Sequence, residues 1–226
     1  MTLITCSGRL CPGWVFWHGS SVTGAVVAVS GRLLHEFRTM NHSESGALLY
    51  EEPGGAIQLK VSQTYDGGPV GHLEEVSLRL SGLPESLLLE IEAPFHGDPP
   101  PQTPAGSTPG LWDFEVVELF VCGPSEDYTE IEVGPHGHYL ALRLSGVRRP
   151  IESGLPLHVE TAISGQTWRG RVHIPREILP VGPHRMNAYA IHGQGASRRY
   201  LASFPTGGAS PDFHQLNCFQ AVTLPD

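Results

Sequence analysis

From Ile57 onward the chain breaks into short segments in which apolar and polar residues alternate, separated by Gly and Pro. A period of two is the mark of strands, and it excludes most helical architectures. Val76, Leu78 and Leu80 alternate with Ser77 and Arg79, and Leu87, Leu89 and Ile91 with Leu88, Glu90 and Glu92. Further strand patterns cover Tyr128–Val133, Tyr139–Leu144, Leu157–Ile163, Trp168–Ile174, Met186–His192, Arg199–Phe204 and Phe219–Leu224. Only Pro175–Leu179 suggests helix, a single turn opened by Pro. With 27 Gly, 20 Pro and only 16% charged residues, many short strands and turns are favoured over long helices. Nine to ten strands at this spacing predict an all-β fold, an antiparallel β-sandwich.

Residues 1–55 read differently. They are rich in Gly, Ser and scattered Trp and His, lack sustained periodicity, and end on Glu51-Glu52-Pro53-Gly54-Gly55, a linker signature. We expect a poorly ordered extension over 1–55 and one sandwich domain over 56–226. Val22–Val29 is apolar but short, and no stretch of about 18 apolar residues occurs, so no membrane span is expected. Arg9 and Arg32 with no acid before Glu36 resemble a transit peptide, which makes mitochondrial import the alternative to a cytoplasmic location. Cys6, Cys11, Cys122 and Cys218 form no CxxC, neither a disulfide framework nor a zinc ribbon, so a reducing compartment is expected. The net charge of -9, without a basic stripe, argues against nucleic acid and anionic membranes as partners. The single lysine, Lys60, argues against Schiff-base chemistry.

The run LWDFEVVELF (Leu111–Phe120) places a carboxylate where a core strand should have none. Read as a strand, Trp112, Phe114, Val116, Glu118 and Phe120 share a face, and all but Glu118 are large and apolar. An unpaired buried carboxylate costs several kcal/mol, so Glu118 is hydrogen-bonded, at a bulge, or at the rim of a pocket beside Trp112. Trp112 and Glu118 together offer a flat apolar platform and a strong acceptor for hydroxyls. A satisfied structural carboxylate is the alternative.

Other segments carry weaker signals. The Pro-rich loop from Pro94 to Gly110 is too long to be a plain connector. Around Gly134-Pro135-His136-Gly137 a tight turn should join two strands of an antiparallel meander. In the first, Ile131 and Val133 point one way and Tyr128, Glu130 and Glu132 the other, the two Glu reading as the wet side. In the second, Leu140, Leu142 and Leu144 read as the core side. His136 and His138 frame a Gly, yet no His or Cys has a closed metal-site spacing, so no metal ligands are assigned. No nucleophile motif is present, and Gly193-Gln194-Gly195 reads as a turn. Pro211-Asp212-Phe213-His214 is a candidate second wall for a pocket opposite Trp112.

Several motifs in order resemble a known family. LWDFEVVELF followed by YTEIEVGPHG (Tyr128–Gly137) is similar to the signature of family-nine carbohydrate-binding-module-like domains, grouped with DOMON-like sandwiches. The nearer resemblance is to an uncharacterised vertebrate family known by an open-reading-frame name, with bacterial relatives. It rests on APFHGDPPP (Ala93–Pro101), LWDFEVVELF, EVGPHGHYLALRLSG (Glu132–Gly146), AIHG (Ala190–Gly193) and PDFH (Pro211–His214). The resemblance implies a sandwich of two antiparallel sheets. It also implies a sugar site in which Trp112 stacks and Glu118 hydrogen-bonds hydroxyls. Where the sugar-binding modules carry a second Trp near the C-terminus, this chain has Phe213 and His214. Those modules commonly hold a structural Ca²⁺, but no Asp-rich loop names its ligands here.

The leading expectation is a non-catalytic binding domain for a carbohydrate or other polyhydroxylated small molecule. Its pocket would be built from Trp112, Glu118, His136, Phe213 and His214, with Asp98 on the Pro-rich rim. The alternatives are an enzyme using Glu118 with His136 or His214 as acid and base, and a protein-interaction module acting through loop 94–110.

Overall fold

The computed structural model describes Tyr50, Glu51 and residues 55–226. Within the expected N-terminal extension, residues 1–49 and 52–54, with Cys6, Cys11 and the import-like arginines, lie outside the described residues. The described chain opens with strands β1 (Tyr50–Glu51), β2 (Ile57–Val61), β3 (Gln63–Thr64), β4 (Val76–Gly82) and β5 (Ser86–Pro94). After β6 (Gly106–Ser107) come β7 (Val116–Cys122), β8 (Asp127–Val133), β9 (His138–Ser145) and β10 (Pro150–Ser153). The chain closes with β11 (His158–Ser164), β12 (Thr167–Pro175), β13 (His184–His192), β14 (Arg199–Ala202) and β15 (Gln220–Val222). Nine of these strands have five residues or more, while the patterns expected at Arg199–Phe204 and Phe219–Leu224 form only the shorter β14 and β15. The turn expected after Pro175 is a 3-10 turn over Arg176–Ile178. Among the described residues no helix is long and apolar enough to cross a membrane.

The strands form two sheets, ordered β1-β2-β4-β5-β12-β11 and β10-β9-β8-β7-β13-β14-β3. β15 pairs with β13, and β6 adds to β9 as the parallel pair in the fold. The expected meander is present as β7-β8-β9, antiparallel throughout. Between the sheets lies the main core, with Leu59, Leu78, Leu89, Trp168 and Val172 from the first and Val117, Leu119, Ile131, Val133 and Ala188 from the second.

The second sheet has a second buried face. On its far side a separate apolar layer joins Val116, Phe120, Tyr128, Leu140, Leu142, Leu144 and Tyr189 to Phe213, Leu216 and Phe219 of the C-terminal segment, which folds back over the sheet. β7 is therefore buried along its whole length, the reason its VVELFVC sequence is apolar on both faces.

Two strand readings are corrected by this layer. Leu140, Leu142 and Leu144 face the second layer, not the inter-sheet core. Glu130 and Glu132 lie directly opposite Leu142 and Leu140 and are buried with them, so this is not a wet face. A third correction concerns LWDFEVVELF. Its strand begins only at Val116, because Gly110 takes a left-handed φ of 74° and Leu111–Asp113 coil into a 3-10 turn. Val116, Glu118 and Phe120 share the second-layer face, whereas Trp112 arrives beside them from that turn.

Candidate functional site

A cavity of about 420 Å³ opens on the second layer. Glu118 and Glu130 line it from β7 and β8, and Leu142 and Leu144 from β9. Trp112, Tyr200 and Phe213 supply aromatic walls, with Arg148 and His214 between them. Trp112 is 46% exposed, the bearing of a side chain that meets solvent instead of packing. Its turn is clamped by Arg198, whose guanidinium donates to the carbonyls of Trp112, Asp113 and Gly193 and lies 5.6 Å from the Tyr200 ring centroid.

The Phe213 wall is fixed from beneath. Phe213 stacks on Tyr189 with ring centroids 4.0 Å apart, and the Tyr189 hydroxyl donates to the Phe213 carbonyl. Buried Asn187 donates to the Tyr189 oxygen and to the Phe204 carbonyl, and accepts from the Phe204 and Ala188 amides. His214 is set by a relay. Tyr128 Oη accepts the Arg148 amide at 3.0 Å and lies 2.7 Å from His214 Nδ1; when the hydroxyl donates to Nδ1 the ring proton sits on Nε2. Burial, then the Arg148 charge, push the His214 pKa down to about 4, so the ring is neutral at physiological pH. Asp212 holds the loop by accepting from Arg148, Gln215 and the His214 amide.

Two carboxyl groups, Glu118 and Glu130, line the cavity floor, and a third, Glu132, is buried beside them. Glu118 stands opposite Glu132 across the β7–β8 pair, and Glu130 lies one pair further along the same face. Glu118 is 2% exposed, Glu130 4% and Glu132 0%. Burial holds Glu118 far above the ordinary carboxyl range, reinforced by Glu130 and eased by Arg198. Burial also raises Glu130, to about 7, with Arg148 holding it back. Glu132 is raised by burial and by both neighbours. Glu130 and Glu132 lie within reach of a shared hydrogen bond, Glu132 also meets the Trp112 main chain, and no basic side chain pairs with either among the described residues. As neutral acids these groups both donate and accept, which suits hydroxyl-bearing ligands.

Trp112, Glu118, Phe213 and His214 are thus brought together, whereas His136 and Asp98 are not. Those two line a separate, much smaller cavity with Pro99, Pro100, Pro101 and Phe114. Asp98 is occupied in structure, accepting the Gly193 amide, and His136 packs edge-on to Phe95. Beside them buried Glu115 accepts the His96 and Asp98 amides, pinning the start of the Pro-rich loop. The structural Ca²⁺ implied by the resemblance finds no ligand set, since no group of three or more His, Cys, Asp or Glu among the described residues is arranged for a metal.

The cavity residues missed in the sequence are chiefly Glu130, Arg148 and Tyr200. Glu130 was detectable in principle. A strand with Glu at alternate positions beside one with Leu140, Leu142 and Leu144 cannot share one face that is both wet and core.

No family model matches the chain. A solved structure from Bacteroides uniformis, described as a candidate carbohydrate-binding protein, superposes with a TM-score of 0.55 at 19% identity. The match covers 65% of this chain and 77% of that one, and shows the shared sandwich fold. A family-9 carbohydrate-binding module from Caldicellulosiruptor kristjanssonii, solved with cellotriose, matches at a TM-score of 0.44 and 13% identity over 66% of this chain and 74% of its own. In sequence, a Danio rerio protein named UPF0462 protein C4orf33 homolog is 42% identical over 173 residues, spanning 73% of this chain and 87% of that protein. At that identity and coverage the chain belongs to the UPF0462 (C4orf33) family.

Proposed function

We propose that the domain is a non-catalytic binding module whose second-layer cavity takes a carbohydrate or other polyhydroxylated small molecule. The observation that carries this reading is a half-exposed Trp112 at a cavity floored by the Glu118 and Glu130 carboxyls. An indole platform stacks on the apolar face of a sugar for about 1 kcal/mol. Each good hydrogen bond to a buried acid adds about 1 kcal/mol, more when the acid is ionised. After ordering costs, such a site yields affinities of about micromolar to millimolar. The carbohydrate-binding description of the Bacteroides uniformis protein, which shares the fold, supports the same ligand class. Grouping with DOMON-like sandwiches and bacterial relatives, and a cytoplasmic location, extend this reading; the free thiols of Cys122 and Cys218 fit a reducing compartment.

A thermal-shift screen of the full chain against sugars and sugar acids tests it, because a ligand of the native state raises the melting temperature with concentration. Trp112→Ala and Glu118→Leu should each abolish the shift while melting cooperatively. A shift that survives both substitutions sinks the proposal.

A further inference from the structure

We propose that this cavity selects polyhydroxylated ligands carrying a protonated amine, such as amino sugars, through the buried carboxyls of Glu118 and Glu130 facing the aromatic walls of Trp112, Tyr200 and Phe213. This deepens the binding reading above and rests on it.

Among the described residues the buried carboxyls have no cation of the chain to pair with, and no ion pair reaches Glu118, Glu130 or Glu132. The two nearby cations are engaged elsewhere, Arg148 with Asp212 at 2.8 Å and Arg198 with main-chain carbonyls. Glu130 Oε2 is fully buried and no residue but the neighbouring Glu132 carboxyl offers it a hydrogen bond, on a side chain that lines the cavity. Buried carboxyls are almost always paired with a cation or fully hydrogen-bonded, and a carboxyl pair with no cation beside an open cavity can take a donor from outside. A sugar hydroxyl supplies a hydrogen bond, whereas an ammonium also supplies the missing charge. The exposed Trp112 ring at the cavity adds attraction for the cation. A divalent metal is the poorer occupant, since the carboxyls are not arranged to converge on one ion.

Binding of a cation should displace a proton. Facing the carboxyls are Tyr128 from β8, Tyr189 from β13, Arg148 after β9, Arg198 before β14, and Asp212 and His214 from the C-terminal loop. Burial raises both tyrosines, Tyr128 to about 12, and His214 is neutral, so none of these changes charge between about pH 6 and pH 8. Within that range only the carboxyls release protons, and affinity for an ammonium should rise with pH.

The test is calorimetric titration of the full chain with glucose, its 2-amino and 6-amino derivatives, and the N-acetylated form of each. An amino sugar should bind at least about tenfold tighter than glucose, lose that advantage on acetylation, and fall to the glucose level in Glu130→Gln. From about pH 6 to pH 7.5 the 6-amino sugar, still charged, should gain affinity and release protons. If Glu130→Gln does not fold, this wild-type pH series decides alone. Equal affinity for glucose and both amino sugars overturns amine selection and leaves the polyol reading standing. An advantage retained after acetylation overturns it too, and no binding of any sugar overturns both.

Discussion

Glu130→Gln should make the protein more stable at alkaline pH, and the size of the gain follows from the site. Glu130 is 4% exposed, and its pKa rises from 4.5 to about 7 on folding. A carboxyl raised in this way binds its proton more tightly in the folded chain than in the unfolded one. Its stabilisation is complete below pH 4.5 and is lost as pH rises through about 7. At about 1.4 kcal/mol per pH unit, the loss is about 3 kcal/mol, of which roughly 2.5 falls between about pH 5 and pH 8. Gln keeps the shape and cannot ionise. His192 and His214, both lowered to about 4 by burial, push the other way, favouring the folded chain as pH rises toward 6.5. The total pH profile therefore mixes opposing groups, and the informative quantity is the difference between variant and wild type. Urea denaturation followed by tryptophan fluorescence measures it. The variant should gain about 2.5 kcal/mol on the wild type between about pH 5 and pH 8. Parallel profiles would refute the claim that burial of Glu130 outweighs the Arg148 charge beside it.

Three further substitutions probe the scaffold of the site. Tyr128→Phe strands the Arg148 amide and His214 Nδ1, costing about 1–3 kcal/mol; without the donor that favours the neutral ring, the NMR-measured His214 pKa should rise above its value of about 4. Asn187→Ala removes the amide that joins Tyr189, Ala188 and Phe204, and chemical denaturation should show a loss of at least about 2 kcal/mol. Glu115→Gln leaves one of the His96 and Asp98 amides facing a donor, at a cost of about 1–3 kcal/mol. Limited proteolysis should then cut within residues 94–110 sooner than in the wild type.

Much of the fold was legible because alternation survives in strands with one inter-sheet face, such as Val76–Leu80 and Leu87–Ile91. The second apolar layer was not, because it depends on the C-terminal segment folding back, a long-range event that no local pattern encodes. That one omission misplaced Leu140, Leu142 and Leu144 and made Glu130 and Glu132 look solvated. Trp112 and Glu118 were recognised as partners, but through a strand that the left-handed Gly110 interrupts. Their proximity comes from Arg198 clamping the turn, a contact 86 residues away in sequence. Asp98 and His136 were grouped with them by sequence motif alone. The Asp98 bond to the Gly193 amide and the His136 contact with Phe95 anchor them in a separate cavity.

The most direct test of the cavity as the ligand site is two-dimensional NMR of the full chain, titrated with the sugar that gives the largest thermal shift. Perturbations centred on the Trp112 indole, Glu118, Tyr200, Phe213 and His214 are the expected result. Perturbations centred on the Pro-rich loop or the first sheet, with the Trp112 indole unmoved, would contradict it.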